Sequence, residues 1–265
     1  SSLKFIEFVD QNPIGRASRS NPVTYIKAYD DIRALFSKQK LSVLRNYQPK
    51  HFSFNVDGGR CPTCKGEGVV TIEMQFMADV KLKCESCQGK RFKDSILEIK
   101  FNGKNIDDLL NMTIDQALTF FETHHCEKIK KKLQPLQDVG LGYVTLGQSS
   151  STLSGGEAQR IKLASFLGKG NQSELGLFIF DEPSTGLHFH DIKKLLKSLN
   201  ALIDQGHSII VIEHNLELIK SADYIIDLGP EGGHNGGGLM AFGTPEKVAK
   251  STNSASAKYL ESALE

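Results

Sequence analysis

The sequence has no run of about 18 apolar residues, which is the length that a membrane-spanning helix requires. Its first four residues, Ser-Ser-Leu-Lys, have none of the features of a secretion signal. It also lacks a strong charge of either sign, because 32 basic residues are balanced by 31 acidic ones. We therefore expect a cytoplasmic protein without a membrane partner, and any contact with a nucleic acid must come from a local patch.

The 265 residues, of which 39% are hydrophobic, are enough for one large globular domain or two smaller ones. The sequence contains no G-x-x-x-x-G-K-[ST] segment, the loop that cradles a nucleoside triphosphate. Other motifs of an ABC-type ATPase are present, however. The octapeptide LSGGEAQR at residues 153–160 matches the ABC signature, and the apolar run at residues 177–180, followed by Asp181 and Glu182, matches a Walker B strand. The order of these motifs places the phosphate loop upstream of Ser1, so we expect a fragment with an incomplete nucleotide site.

The signature predicts a phosphate-binding helix N-terminus. Ser154, Gly155 and Gly156 begin a predicted helix, where free backbone N–H groups and the helix dipole favour an anion. In an ABC dimer this element contacts the γ-phosphate of the opposite site. The alternative is a capping box, in which Ser154 caps the helix and Glu157 reaches back to it; both interpretations can hold together.

The predicted Walker B strand ends in two carboxylates with different expected roles. Asp181 lies at the edge of a parallel sheet where such folds bind ligands, and can hold Mg²⁺. Glu182 is placed to orient or deprotonate the attacking water. The segment at residues 184–188, Ser-Thr-Gly-Leu-His, matches the D-loop. The alternative is an acidic loop with no catalytic role.

Two further residues match ABC motifs by their order. His214 follows the apolar strand at residues 208–212 and fits the switch histidine that senses the γ-phosphate, although a histidine there is by itself more often structural. Gln11 fits the Q-loop glutamine, which couples Mg²⁺ and water to an inserted domain.

Four of the five cysteines form two C-x-x-C pairs, Cys61 with Cys64 and Cys84 with Cys87. Four thiolates at this spacing predict a closed structural zinc site. A glycine follows the second cysteine of each pair by two residues, as in zinc knuckles. The alternative is a set of unpaired structural or redox thiols. Cys126 follows two histidines and could extend a metal site, but we interpret it as an incidental thiol in a helix.

The chain is predicted to have an α/β fold, because strands and helices alternate from residue 140 onwards and this alternation implies a parallel sheet. We expect an ABC ATPase domain to begin at residues 1–46, a zinc-binding module to be inserted at residues 47–105, and the helical signature region and the rest of the ATPase domain to occupy residues 106–265. Strand-like runs are predicted at residues 69–76 and 96–101, and helices at residues 106–122 and 127–137. Between residues 45 and 104, eleven basic residues, Lys90 and Arg91 among them, outnumber seven acidic ones. This excess fits either DNA binding or an ordinary solvated surface.

A larger set of motifs spans essentially the whole chain and includes DQNPIGR at residues 10–16, SRSNP at 18–22, FSFNV at 52–56, GGRC at 58–61, GLGY at 140–143, IEHNL at 212–216 and DLGPEGG at 227–233. In these motifs the chain resembles one family, the UvrA subunits of the bacterial excinuclease, in their C-terminal half. The sequence departs from the family at Ala17 and in a variable loop at residues 168–174. A zinc module between Q-loop and signature is not expected of transporter ATPases.

This resemblance implies an ATPase of nucleotide excision repair that senses damaged double-stranded DNA and loads a UvrB-type helicase. It implies Zn²⁺ and Mg²⁺ with ATP or ADP as cofactors, and a dimer of the full-length parent. Three alternatives are a zinc module of the J-protein chaperone type, a transporter-type ABC ATPase, and a zinc-binding fragment that binds DNA or a partner without catalysis. The resemblance does not indicate which lesion is recognised, and we expect this chain alone to be inactive.

Overall fold

The structure is a computed structural model that describes residues 3–15, 19–72, 74, 79–169, 174–233 and 236–265. Arg16, Ala17, Ser18, Phe76 and most of the predicted variable loop lie outside the described residues. The strands and helices are, in chain order, β1 (Phe5–Val9), α1 (Pro22–Tyr25), α2 (Tyr29–Ser37), α3 (Lys40–Leu44), β2 (Val69–Ile72), β3 (Val80–Lys83), α4 (Asp94–Leu97), α5 (Ile106–Leu110), α6 (Ile114–Thr123), α7 (Glu127–Asp138), α8 (Gly155–Leu167), β4 (Gly176–Asp181), α9 (Phe189–Asp204), β5 (Ser208–Ile212), α10 (Leu216–Ile219), β6 (Ile225–Gly229), β7 (Gly238–Gly243), α11 (Pro245–Ala249) and α12 (Ala257–Leu264).

The chain divides into two compact units, one of residues 1–9 and 174–265 and the other of residues 10–173. The second unit holds the predicted zinc module together with helices that precede and follow it. The borders that we expect for the module, at residues 47 and 105, stay a prediction. No helix among the described residues is long and apolar enough to cross a membrane.

In the first unit, β1, β4 and β5 form a parallel sheet with β4 in the centre. The predicted α/β class with a parallel sheet is confirmed. Helix α9 connects β4 to β5 and lies against β5. Its residues Ile192, Leu195 and Leu199 are buried, and they recur at the spacing that places them on one side of a helix. Ile203, which the sequence pattern assigns to the same stripe, is 42% exposed.

The two faces of this sheet differ in burial. Phe178 and Phe180 of β4 are buried on one face, whereas Ile210 and Ile212 of β5 are 49% and 48% exposed. The continuous apolar sequence of β5 predicts a strand covered on both sides. That prediction is wrong for the described residues, which cover one face of β5 and leave the other open.

The strands that follow form a separate hairpin. β6 pairs with β7 in antiparallel orientation, with Ile225 opposite Gly243. The alternation of strands and helices predicts that β6 extends the parallel sheet, and this is wrong because β7 follows closely enough in the chain to pair with it directly. Helix α11 packs against β7 and α12, and α12 also contacts α10.

The second unit is mainly helical. Helix α7 packs against α6 and α8, and α2 contacts α7. Lys128 and Lys132 of α7 both form ion pairs with Asp31 of α2, at 2.7 and 2.6 Å. Aromatic residues fill part of the core: the rings of Tyr29 and Phe54 lie 5.0 Å apart, and the Tyr29 hydroxyl donates a hydrogen bond to the backbone oxygen of Phe52.

Two segments of this unit differ from their predicted structure. Residues 96–101 were expected to be strand-like, but α4 ends at Leu97 and Phe101 forms only an isolated bridge with Lys104. A short apolar run does not distinguish a strand from a buried helical turn. The single helix expected at residues 106–122 is divided, because Asn111 ends α5 and Thr113 caps α6 through a capping box with Gln116.

Candidate functional site

The central strand of the sheet ends at the predicted Walker B carboxylates. Asp181 is the last residue of β4 and pairs with Ile212, the last residue of β5. Glu182 follows immediately, and its backbone N–H donates to the carbonyl oxygen of Ile212 over 2.9 Å. The two parallel strands therefore end at the same level, and the loops after them emerge side by side.

Glu182 and His214 lie in direct contact at this edge. His214 Nε2 lies 3.1 Å from Glu182 Oε1, although the two residues are 32 positions apart in the sequence. The His214 side chain is 80% exposed and that of Glu182 is 45% exposed, so both are accessible to a ligand and to water. This geometry suits a carboxylate that orients water beside an imidazole that senses an anion. Their catalytic roles stay a prediction.

The signature motif begins a capped helix in the second unit. Ser154 is the N-cap of α8: its Oγ accepts from the backbone N–H of Glu157 over 3.3 Å, and Glu157 Oε2 accepts from the N–H of Ser154 over 2.8 Å. Burial opposes ionisation of Glu157, but these bonds and a 2.7 Å bond from the Tyr143 hydroxyl lower its pKa. The capping box is thus present, and it leaves the phosphate-binding role of the helix N-terminus a prediction.

The predicted Q-loop glutamine lies against this same helix end. A Cβ atom on Gly155 would approach Gln11 Oε1 to 2.8 Å and Gln11 Cβ to 3.0 Å, so a side chain at this position would crowd the glutamine. Gly156 is buried at the start of α8. The structure therefore brings Gln11, Ser154, Gly155 and Gly156 together in the second unit, as it brings Asp181, Glu182 and His214 together in the first.

Lys162 is a residue of this region that the sequence analysis missed. Its Nζ pairs with the carboxylate of Asp10 and donates to the backbone oxygen of Asp10 over 3.1 Å. The hydrogen bond from Lys162 lowers the pKa of Asp10, so the carboxylate stays ionised. This contact ties the residue before Gln11 to the middle of α8. The sequence shows a lysine two turns into the signature helix, but it does not indicate which residue that lysine contacts.

The four paired cysteines form one buried cluster. Their Sγ atoms all lie within 4.8 Å of one another, with Cys61 4.0 Å from Cys84 and Cys64 3.6 Å from Cys87. A Zn–S bond of about 2.3 Å in a tetrahedral site places two sulfur atoms about 3.8 Å apart. The spacing of the cluster therefore fits a four-coordinate zinc ion and leaves no position for a substrate.

Two tight turns aim backbone groups at these sulfur atoms. Gly66 and Gly89 have φ angles of +86° and +80°, in the left-handed region that favours glycine. The N–H of Gly68 donates to Cys64 Sγ over 3.3 Å. Such donors stabilise thiolates and orient metal ligands.

The electrostatics of the cluster also favour a bound cation. Burial opposes ionisation of Cys61, but backbone N–H groups of Cys64 and Thr63 lower its pKa to about 6. Burial and the neighbouring sulfur atoms raise the pKa of Cys87. A divalent cation at the centre of the cluster would neutralise the thiolates and so offset the burial that opposes their ionisation. Cys61, Cys64, Cys84 and Cys87 fit zinc both in geometry and in chemistry.

Cys126 lies apart from this cluster. Among the described residues, the four paired cysteines are the group that could hold a metal. The sequence predicts that Cys126 lies within a helix, but it is instead the residue that precedes α7. Its Sγ contacts the backbone oxygen of His124 over 3.5 Å. Burial raises the pKa of its thiol, which argues against reactivity.

The fold and these clusters define a class of protein. A parallel sheet whose central strand ends in Asp-Glu, a histidine from the next strand in contact with that glutamate, and a capped LSGGE helix are the elements of an ABC-type ATPase, here with a four-cysteine module. No protein-family model matches the chain.

Curated relatives specify the family. The chain is 56% identical over 256 residues to UvrABC system protein A of Clostridium perfringens, and 55% identical over 257 residues to that of Staphylococcus aureus. In each case the match covers 97% of this chain and 27% of the relative. The crystal structure of UvrA2 from Deinococcus radiodurans matches with a TM-score of 0.92 and 43% identity, over 99% of this chain and 32% of that one. By sequence and by fold the chain therefore matches a segment of UvrA proteins, and it spans about a quarter of the length of the curated relatives that it matches.

The cysteine cluster predicts a stoichiometric metal. Freshly purified, reduced protein should contain about one zinc ion per chain by elemental analysis. Cys64→Ser should lose the ion and make residues 61–91 sensitive to protease, because the three remaining ligands no longer close the site. Cys126→Ser is the matched control and should keep both the zinc and the protease resistance. Absence of zinc from the unmodified protein, or equal loss in both variants, would contradict this assignment.

Proposed function

We propose that this chain is part of the ATPase of the DNA-damage recognition subunit of nucleotide excision repair. The observation that carries the proposal is the contact of Glu182 with His214 at the end of the Walker B strand, in a chain 56% identical to UvrABC system protein A. Asp181 would hold Mg²⁺, Glu182 would orient the attacking water, and His214 would sense the γ-phosphate. The parent would work in the cytoplasm as a dimer, with a UvrB-type helicase as partner.

Residues 1–265 alone should neither bind Mg-ATP tightly nor hydrolyse it. Most of the affinity of such sites comes from the phosphate loop and its lysine, which this sequence does not contain. Calorimetry of the purified chain with Mg-ATP should show no binding in the micromolar range. Micromolar affinity would mean that the phosphate-binding segment lies within these residues.

Catalysis should depend on Glu182 in a protein of the full family length. The test uses a chimera in which this chain replaces the segment that it matches in the Clostridium perfringens relative. Glu182→Gln keeps the shape of the side chain but cannot act as a base, so turnover should fall by about 10²–10⁴-fold while ATP binding persists. Glu217→Gln, which alters an ion pair between Glu217 of α10 and Lys220, serves as the control and should keep normal turnover. Normal turnover of Glu182→Gln would assign the role of base to another group.

The surface around the cysteine cluster is the proposed DNA contact. Lys65, Lys81 and Lys90 are exposed. Arg91, the other basic residue named with Lys90 in the sequence analysis, has a structural role. It donates to the backbone oxygen of Gly147 over 3.0 Å and lies over the Phe54 ring, and burial lowers its pKa. Arg91→Ala would therefore disturb packing as well as charge.

DNA binding by the chimera should weaken steeply as salt rises, because phosphate contacts release counterions. Replacing Lys81 and Lys90 with alanine should weaken binding to duplex DNA and lower the slope of log K against log salt by up to about 2. Fluorescence anisotropy at several salt concentrations measures both quantities. Lys131→Ala, an exposed lysine of α7, is the control. An unchanged slope in the double variant would place the DNA surface elsewhere.

A further inference from the structure

The carboxylate of Glu213 joins the two loops that carry the proposed catalytic pair. Glu213 Oε1 accepts a hydrogen bond from the backbone N–H of Ser184 over 2.8 Å. Its Oε2 accepts from the N–H of His214 over 2.8 Å and from the N–H of Asn215 over 3.0 Å. Ser184 belongs to the loop after β4, whereas His214 and Asn215 belong to the loop after β5. One side chain thus binds three backbone donors of two separate segments.

These donors flank the residues whose contact defines the site. Ser184 lies two positions after Glu182, and His214 follows Glu213 directly. Movement of either loop would therefore change the 3.1 Å separation between His214 Nε2 and Glu182 Oε1. The N–H of Glu182 also donates to the carbonyl oxygen of Ile212, the last residue of β5. The Glu213 bonds fix the backbone on the C-terminal side of Glu182, through Ser184.

The backbone of Glu182 shows that this arrangement must be held in place. Its φ angle is +45°, in the left-handed region that is unfavourable for a residue with a side chain. Such conformations persist at functional sites where surrounding contacts over-determine them. The bond from Glu182 N–H to Ile212 holds one side of this residue, and the bond from Ser184 N–H to Glu213 holds the other.

We propose that Glu213 is a positioning residue that braces the loop after β4 against His214, and so sets the geometry of the Glu182–His214 pair. The inference rests on the ATPase function proposed above. An ionised carboxylate suits this task because both of its oxygens are acceptors, and its hydrogen bonds to N–H groups are stronger than those of a neutral group. A glutamine has one acceptor oxygen, so its NH₂ group would face either Ser184 N–H or the two N–H groups of His214 and Asn215.

The first experiment uses this chain and needs no activity. Amide hydrogen exchange should be about tenfold faster in Glu213→Gln than in the unmodified protein, either at Ser184 or at His214 and Asn215, because the NH₂ group of glutamine cannot accept from the N–H groups that it faces. Glu217→Gln again serves as the control: it is a neighbouring carboxylate that binds Lys220 rather than the loops, and it should leave exchange at these amides unchanged. Equal exchange at Ser184, His214 and Asn215 in all three proteins would overturn the brace.

The second experiment measures catalysis in the chimera described above. Misplacement of a catalytic pair by about 1 Å can lower turnover by about 10²-fold without contact to the substrate. Glu213→Gln should therefore lower kcat by about 10–10²-fold and change KM by less than about twofold. Glu213→Asp keeps both acceptor oxygens on a shorter side chain and should give an intermediate kcat, with faster exchange at Ser184. If Glu213→Gln does not fold, the aspartate variant decides the question on the same two measurements.

The outcomes separate the two proposals. An unmodified chimera without ATPase activity would contradict the proposed function, and the exchange data would still decide whether Glu213 joins the loops. If the chimera is active and Glu213→Gln keeps its kcat, the positioning role is overturned. The same holds if kcat and thermal stability fall together in Glu213→Gln and Glu213→Asp restores neither.

Discussion

The parallel pairing of β4 with β5 is the constraint on which the rest of the candidate nucleotide site depends. Its register places Asp181 opposite Ile212, so that both strands end at one level. Every contact of the site follows from this alignment: the Glu182 N–H reaches Ile212, the His214 ring reaches Glu182, and Glu213 reaches Ser184. A shift of one residue in the register would turn each side chain to the opposite face of the sheet and separate all three pairs. The buried rings of Phe178 and Phe180 oppose such a shift, because it would move them from the covered face to the open one.

A different constraint organises the β2–β3 hairpin of the second unit. The hairpin of β2 and β3 has exposed apolar residues, among them Val70, Ile72 and Leu82, and contributes little buried core. The four cysteines are the buried residues at its base. Small modules with so little apolar core need a metal or a covalent link for stability. In this region the sulfur cluster takes the place of a hydrophobic core, and the tight turns at Gly66 and Gly89 supply the geometry that the cluster needs.

The sequence predicted what depends on local pattern, and it failed where the outcome depends on distant partners. Spacing within short segments predicted helix α8 and its capping box, and the strand ends at Asp181 and Ile212. It also predicted that the C-x-x-C pairs lie close together. The run at residues 96–101 was misassigned because its apolar residues fit a buried turn as well as a strand. The antiparallel pairing of β6, the structural role of Arg91 and the contacts of Lys162 and Glu213 depend on which segments meet in space. Glu213 in particular adjoins His214 in the sequence, yet its function is set by Ser184, 29 positions away.

The distribution of charge at the strand ends has a consequence for how a nucleotide would be held. Asp181, Glu182 and Glu213 place three carboxylates at the ends of β4 and β5, and among them Glu213 is already engaged by three backbone N–H groups. A triphosphate approaching this edge would meet net negative charge, and close like charges disfavour binding unless a cation intervenes. Under the proposed function, Mg²⁺ on Asp181 would offset only part of that repulsion. Under the proposed function, most of the affinity would therefore come from cationic and N–H groups on other segments. The carboxylates would act only once those groups had brought the phosphates to them, so hydrolysis would be conditional on assembly of the whole site.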